Sequence, residues 1–218
     1  MSNNKTIKTP TFVVEPQGFT YFRSPCGKMG FVTISKCCSS SIINWCQHTK
    51  WLAVNTHLDD NKRKYLVILR DPIDRWISGF STYLSINNID VKTIDHKYWK
   101  IFKDVVVFDR HTLPQYKHLI PIKLENIIAI DFDRVRDGSL LKIFRTAGYD
   151  KEIPHLNSSN DNDVKIKIFL RNMIDEDLVF KNRLYKVYEK DYWLQYHLLD
   201  KDVPGILLKD MVDLNEKN

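Results

Sequence analysis

The sequence predicts an α/β fold, a three-layer α/β/α arrangement with a central parallel sheet covered by helices on both faces. Short β-branched apolar runs alternate with segments of helical periodicity, and two of those runs end in a polar turn that leads straight into a helix. The first run, Gly30–Ser35, has the length and branching of a buried strand. Lys36–Ser41 follows it, and then Ile42, Ile43, Trp45 and Cys46 recur at helical spacing. Three serines at that junction suit the start of a helix, where a side-chain oxygen can accept from a free backbone N–H. The second run, Tyr65–Leu69, stops at Arg70, Asp71 and Pro72. Proline fits the first helical turn, because the N–H it lacks has no partner there. Ile73, Trp76, Ile77, Phe80 and Leu84 then mark one apolar helix face.

Further along, Val105–Phe108 and Ile127–Phe132 read as strands. Ser139–Ala147, residues 163–172 and Asp175–Leu199 read as helices, with a turn at Asp137–Gly138 and a helix C-cap at Gly148. Ligands of parallel sheets bind beyond the carboxyl ends of the strands, where both polar turns lie. The 218 residues make one domain, with residues 1–17 and 210–218 expected to be flexible ends. With 43% hydrophobic and 28% charged residues, a folded chain is expected rather than a disordered one.

The net charge of +6 is spread along the chain, which suits an anionic ligand better than the basic arm of a nucleic-acid-binding protein. Cys26, Cys37, Cys38 and Cys46 contain no CxxC pair, so reduced thiols in a cytoplasmic protein are expected and a zinc site is not. No signal peptide and no run of about 18 apolar residues is present, so no membrane span is expected. The sequence is silent on oligomeric state.

Two segments carry the candidate chemistry. At Lys36–Ser41, backbone N–H groups and the positive end of a helix dipole converge, a setting that favours phosphate or sulfate. A serine-capped helix beside a solvated lysine would give the same pattern. The segment is not the magnesium-nucleotide loop GxxxxGK[ST], because the glycines are missing and the lysine precedes the hydroxyls. In the second segment, Arg70 closes a strand and Ser78 lies about two turns into the next helix. A forked guanidinium and a hydroxyl can meet there on one phosphate. The alternative is a surface ion-pair network of Arg70, Asp71, Asp74 and Arg75.

Taken together, the two segments resemble the sulfotransferases that use 3′-phosphoadenosine 5′-phosphosulfate (PAPS), and most closely the carbohydrate sulfotransferases. Lys36–Ser41 is similar to that family's K-x-[GA]-[CST]-[TS]-[SN] turn, and Arg70, Asp71, Pro72, Arg75 and Ser78 match its R-[DE]-P-x-x-R-x-x-S segment. Asp109, His111, Pro114 and Gln115 resemble the element D-x-H-x-x-P-Q. Ile127–Phe132 with Arg134–Leu141 resembles the next strand and helix. Pro154–Ser158 resembles the turn P-H-x-N-x-S, and Val187–Tyr192 the closing helix. The matches span nearly the whole chain in order. Cys38 departs from the pattern, standing where the family has glycine or alanine, and Ser35 replaces a proline. The stretch between Ser41 and Arg70 is also short.

The resemblance implies a P-loop nucleotide-hydrolase-like fold and transfer of a sulfuryl group from PAPS to a hydroxyl of a carbohydrate or other small acceptor, without a metal. It assigns Lys36, Cys37, Cys38, Ser39, Ser40 and Ser41 to the 5′-phosphosulfate, and Arg70 and Ser78 to the 3′-phosphate. Lys36 would also neutralise charge on the leaving group. His111 is the candidate base, with His57, Asp59 and Asp60 as rivals. His155 and Asn157 read as turn residues, and Tyr185, Tyr188, Tyr192 and Trp193 as helix packing. The competing readings are a small-molecule kinase and a nucleotide-binding domain without turnover.

Overall fold

Strand β1 (Thr20–Arg23) and strand β2 (Met29–Val32) form an antiparallel hairpin, because residues 24–28 are too few for a crossover. The Ser24 N–H donates to the Met29 carbonyl at 2.9 Å, and Ser24 Oγ accepts from the Met29 N–H at 3.1 Å. Gly27 takes the left-handed conformation this turn needs, with φ 73°. The computed structural model describes residues 20–55, 63–120, 122–146, 148–149, 151–153 and 161–202. Residues 1–17 and 210–218, the rival bases His57, Asp59 and Asp60, and the Pro154–Ser158 turn with His155 and Asn157 lie outside the described residues.

Helix α1 (Ser39–His48) follows the first polar turn, and β3 (Leu52–Asn55) pairs antiparallel with the free side of β1. Strand β4 (Lys64–Leu69) lies parallel to β2, and β5 (Ile127–Asp131) parallel to β4. The strand order is β3-β1-β2-β4-β5. The sheet is therefore mixed, not parallel throughout as the sequence predicts. Only β1 runs against the others, and the short hairpin is the reason. β2, β4 and β5 keep the parallel arrangement, and β2 and β4 lead into the two polar turns.

Helix α2 (Pro72–Ile86) begins at Asp71, whose carboxylate accepts from the Asp74 N–H at 2.8 Å. Helix α3 (His96–Val105) runs into the predicted strand Val105–Phe108, which does not form. Val106 has φ 59° and ψ −49°, and the Val107 N–H donates to the Val105 carbonyl at 2.6 Å, so the chain reverses in a γ-turn. The Trp76 indole N–H takes the buried Val106 carbonyl at 2.8 Å, satisfying a group that a strand ladder would otherwise need. Helices α4 (Ser139–Thr146), α5 (Asp161–Glu176), α6 (Leu178–Val187) and α7 (Glu189–Leu199) complete the described residues. The single helix expected over Asp175–Leu199 is thus divided among the end of α5, α6 and α7, with breaks at Asp177 and at Tyr188, whose buried hydroxyl donates to the Thr112 carbonyl.

Two apolar clusters hold these elements. In the first, Leu66, Val67 and Ile68 of β4 lie with Ile42 and Trp45 of α1 and with Leu140 and Phe144 of α4. Trp45 stacks on Phe144 with ring centres 4.1 Å apart. The second is helical: Trp76 and Phe80 of α2 meet Phe102 of α3, Leu170 and Ile174 of α5, Leu184 of α6 and Tyr192 of α7. Phe80 stacks between Trp76 at 4.9 Å and Phe108 at 5.0 Å.

Gly79, inside α2, lets the 109–112 turn lie directly on the helix. A Cβ at this position would sit 2.3 Å from the His111 carbonyl oxygen and 3.2 Å from Thr112 Cγ2. Alanine would gain about 1 kcal/mol of helix propensity, but the obstructing atom is backbone and cannot rotate away. Gly79→Ala is expected to destabilise the fold by about 1–3 kcal/mol, read as a lower urea midpoint; an unchanged or raised midpoint would contradict this packing.

Candidate functional site

The turn after β2 is built from two left-handed residues, Lys36 at φ 69° and Cys38 at φ 57°. For residues with a Cβ this conformation costs about 1–2 kcal/mol each. The Cys37 N–H donates to the Ile34 carbonyl at 3.2 Å, and Cys38, the N-cap of α1, accepts from the Ile42 N–H at 3.1 Å. Beyond the turn, the first-turn N–H groups of α1 have no acceptor within the helix. Lys36, Cys38, Ser39, Ser40 and Ser41 line a cleft of about 1850 Å³. Burial, and then the charge of Lys167, lower the Lys36 ammonium below its ordinary value, while Asp163 and Asp109 pull it back up. Cys37 departs from the expectation for this segment. Its side chain is buried, points away from the cleft and donates from Sγ to Gln115 Oε1 at 3.4 Å. Burial pushes this thiol up to about 12.

Arg70, at the end of β4, lines the same cleft, as does Ser78 on α2. The guanidinium stacks 4.4 Å from the Phe132 ring centre and donates from Nη1 to the Lys36 carbonyl at 3.4 Å. The backbone of Arg70 is held by one side chain. Its N–H donates to Gln115 Oε1 at 3.0 Å, and its carbonyl accepts from Gln115 Nε2 at 2.8 Å. The neighbouring charges do not form the surface network that the sequence allows. Asp71 caps α2, Asp74 pairs with Arg171 of α5, and Arg75 is fully buried with Nε donating to the Ser35 carbonyl at 3.1 Å. Arg75 Nη1 and Nη2 have no hydrogen-bond partner among the described residues.

Asp191 of α7, also fully buried, accepts from the Gln115 N–H and the Tyr116 N–H, both at 2.8 Å. Burial raises its carboxyl to about 6, against the pull of Arg75 and the two N–H bonds. His111 lies in a turn locked by Thr112, whose Oγ1 accepts from the Phe108 N–H at 2.8 Å. Asp109 grips His111 twice, accepting from its N–H and facing its Nδ1, each at 2.8 Å. Burial opposes ionisation of Asp109, but the bonds and charge of His111 outweigh it and hold the carboxyl below its usual value. An ionised carboxylate can only accept, so Nδ1 carries the proton and Nε2 is the basic atom of the ring. His111 lines the cleft.

The cleft thus gathers Lys36, Cys38, Ser39, Ser40, Ser41, Arg70, Ser78 and His111, and of the sequence-predicted side chains leaves out Cys37. Three residues that shape it are not among the sequence-predicted site residues, although Asp109 and Gln115 fall within the D-x-H-x-x-P-Q element. Asp109 carries a local signal, a carboxylate two residues before a histidine. Gln115 meets partners 45 and 76 positions away, and Gly79 carries no chemistry at all. Among the described residues, no group of three or more His, Cys, Asp or Glu is placed to hold a metal ion. All four cysteines are free thiols, and no described helix is long and apolar enough to cross a membrane.

No protein-family model and no curated protein matches the chain. Among solved structures it is similar to a sulfotransferase from Alicyclobacillus acidocaldarius, at 14% identity and a TM-score of 0.33. The match covers 65% of this chain and 56% of that one, so the chain spans just over half of that protein's length.

The Asp191 carboxyl gives the site a pH signature. Its folded value of about 6 lies above the unfolded value near 4, so the fold binds this proton more tightly than the unfolded chain does. The contribution of Asp191 to stability therefore falls as pH rises from about 4 to about 6. Asp191→Asn removes that titration. Urea melts at both ends of the window are expected to show the parent's advantage over the variant shrinking at the higher pH; an advantage that grows would contradict the assignment.

Proposed function

We propose that the chain is a PAPS-dependent sulfotransferase, with the P-loop nucleotide-hydrolase-like fold of that family, that transfers a sulfuryl group to a hydroxyl of a carbohydrate or other small acceptor. The observation that carries this reading is the convergence of two anion-binding segments and an Asp–His pair on one cleft. A single anion site would suit many ligands. Two cationic segments, each with hydroxyl donors, suit a ligand with phosphates at both ends, and ordinary ATP has none at its 3′ position.

In this reading Ser39, Ser40 and Ser41, with the first-turn N–H groups of α1, hold the 5′-phosphate. Arg70 and Ser78 hold the 3′-phosphate through a forked, charge-assisted contact. Phe132 backs the Arg70 guanidinium and keeps it at the wall of the cleft. Asp109 orients His111, and His111 Nε2 takes the proton of the acceptor hydroxyl as its oxygen bonds to sulfur. The bond from sulfur to the bridging oxygen breaks, and Lys36 neutralises the charge gathering on that oxygen. Adenosine 3′,5′-bisphosphate and the sulfated acceptor leave. Positioning and electrostatics dominate such a loose, in-line transfer, as they do in phosphoryl transfer.

Calorimetry with adenosine 3′,5′-bisphosphate is expected to show binding that Arg70→Ala weakens about tenfold or more. Equal binding of ATP with magnesium, with no advantage from the 3′-phosphate, would reject the reading in favour of a kinase. In a transfer assay with radiolabelled PAPS and a panel of hydroxyl acceptors, Lys36→Ala is expected to abolish label incorporation. His111→Ala should lower turnover about 10²–10⁴-fold while nucleotide affinity holds. Tight nucleotide binding with no transfer across the panel would favour a binding-only domain.

A further inference from the structure

Helix α5 lies against α2, and two side-chain links give the register. Arg171 on α5 pairs with Asp74 in the first turn of α2, and Asp163, about two turns earlier on α5, accepts from the Ser81 hydroxyl of α2. The two helices are therefore antiparallel. Positions 163, 167 and 171 follow at four-residue steps and share one face of α5; positions 74, 78 and 81 share one face of α2. With 171 joined to 74 and 163 to 81, Lys167 stands opposite Ser78.

Lys167 lines the cleft together with Lys36, Arg70 and Ser78. Its ammonium is seated on Asp163 Oδ2 at 2.5 Å, while the other oxygen of that carboxylate takes the Ser81 bond. Ser81 is buried, so the seat is fixed to α2 at its base. The charge of Lys167 is also felt at Lys36, where only burial lowers the ammonium more. Two ammonium groups and a guanidinium around one cleft repel one another, while Asp163 and Asp109 pull the other way at Lys36. A dianionic group placed among them would relieve that repulsion.

We propose that Lys167 is a third ligand of the donor's 3′-phosphate, acting beside Arg70 and Ser78, with Asp163 and Ser81 as positioning residues that hold its ammonium over the cleft. The assignment rests on the proposed sulfotransferase reading and extends its nucleotide site to a residue from α5. Asp163 keeps its bond to Ser81 when Lys167 donates to phosphate, so this half-buried carboxylate is not left without a partner.

The test is calorimetry of the whole chain with two probes, adenosine 3′,5′-bisphosphate and adenosine 5′-monophosphate. Lys167→Met is expected to weaken the bisphosphate about tenfold or more and to leave the monophosphate nearly unchanged, so that the preference for a 3′-phosphate shrinks. Lys167→Arg should restore most of it. An equal loss for both probes, or a preference unaltered in Lys167→Met, overturns the assignment and leaves the sulfotransferase reading standing. A parent chain with no preference for the bisphosphate removes that reading, and the Lys167 assignment with it. If Lys167→Met does not fold, Lys167→Gln, whose amide can still donate to Asp163, carries the same comparison.

Discussion

The site depends on the side-chain amide of Gln115. It bonds both the N–H and the carbonyl of Arg70, as a neighbouring strand would, and so ends β4 with its last peptide still paired. The same amide oxygen accepts from Cys37 beneath the first polar turn. Because Asp191 of α7 holds the backbone of Gln115 and Tyr116, three separated parts of the chain meet at one residue. Each buried polar group left without its partner costs about 1–3 kcal/mol. Loss of this amide would strand several at once, at the point where Lys36 and Arg70 must keep a fixed separation.

Around Gln115 the interior is charged. Arg75 and Asp191 are both fully buried, and each feels the field of the other. Such pairs contribute little net stability, since desolvation offsets most of their attraction. Here Arg75 steadies the Ser35 carbonyl just before the left-handed Lys36, and Asp191 steadies the backbone of Gln115. The charges lie under the turn and shape it. The cost of the left-handed residues Lys36 and Cys38 is carried by the same framework, and a glycine in place of Cys38 would not incur it.

Much of this arrangement is legible in the sequence, and the exceptions have physical causes. The starts of α1 and α2 are announced by the serines and by Pro72, whose preferences are local. Lys36, Arg70, Ser78 and His111 fall on one cleft as their motifs suggest. The reversal at Val106 is hidden, because three consecutive valines favour a strand and only the remote indole of Trp76 makes the turn satisfiable. The break at Tyr188 carries no proline or glycine, and the Tyr188 hydroxyl bonds the Thr112 carbonyl, 76 positions away. The antiparallel β1 is only four residues long, too short for alternation to stand out. Patterns within a few residues were visible, while contacts between distant segments were not.

Ser78 and Gly79 are joined by one peptide bond but point about 100° apart around α2. The first lines the cleft, and the second lies bare against the carbonyl of His111. In the proposed sulfotransferase reading, that single bond spaces the residue at the 3′-phosphate from the turn that carries the base. Because the obstructing atom at Gly79 is the backbone carbonyl of His111, the helix and the 109–112 turn press directly on one another, and a displacement of one would push on the other.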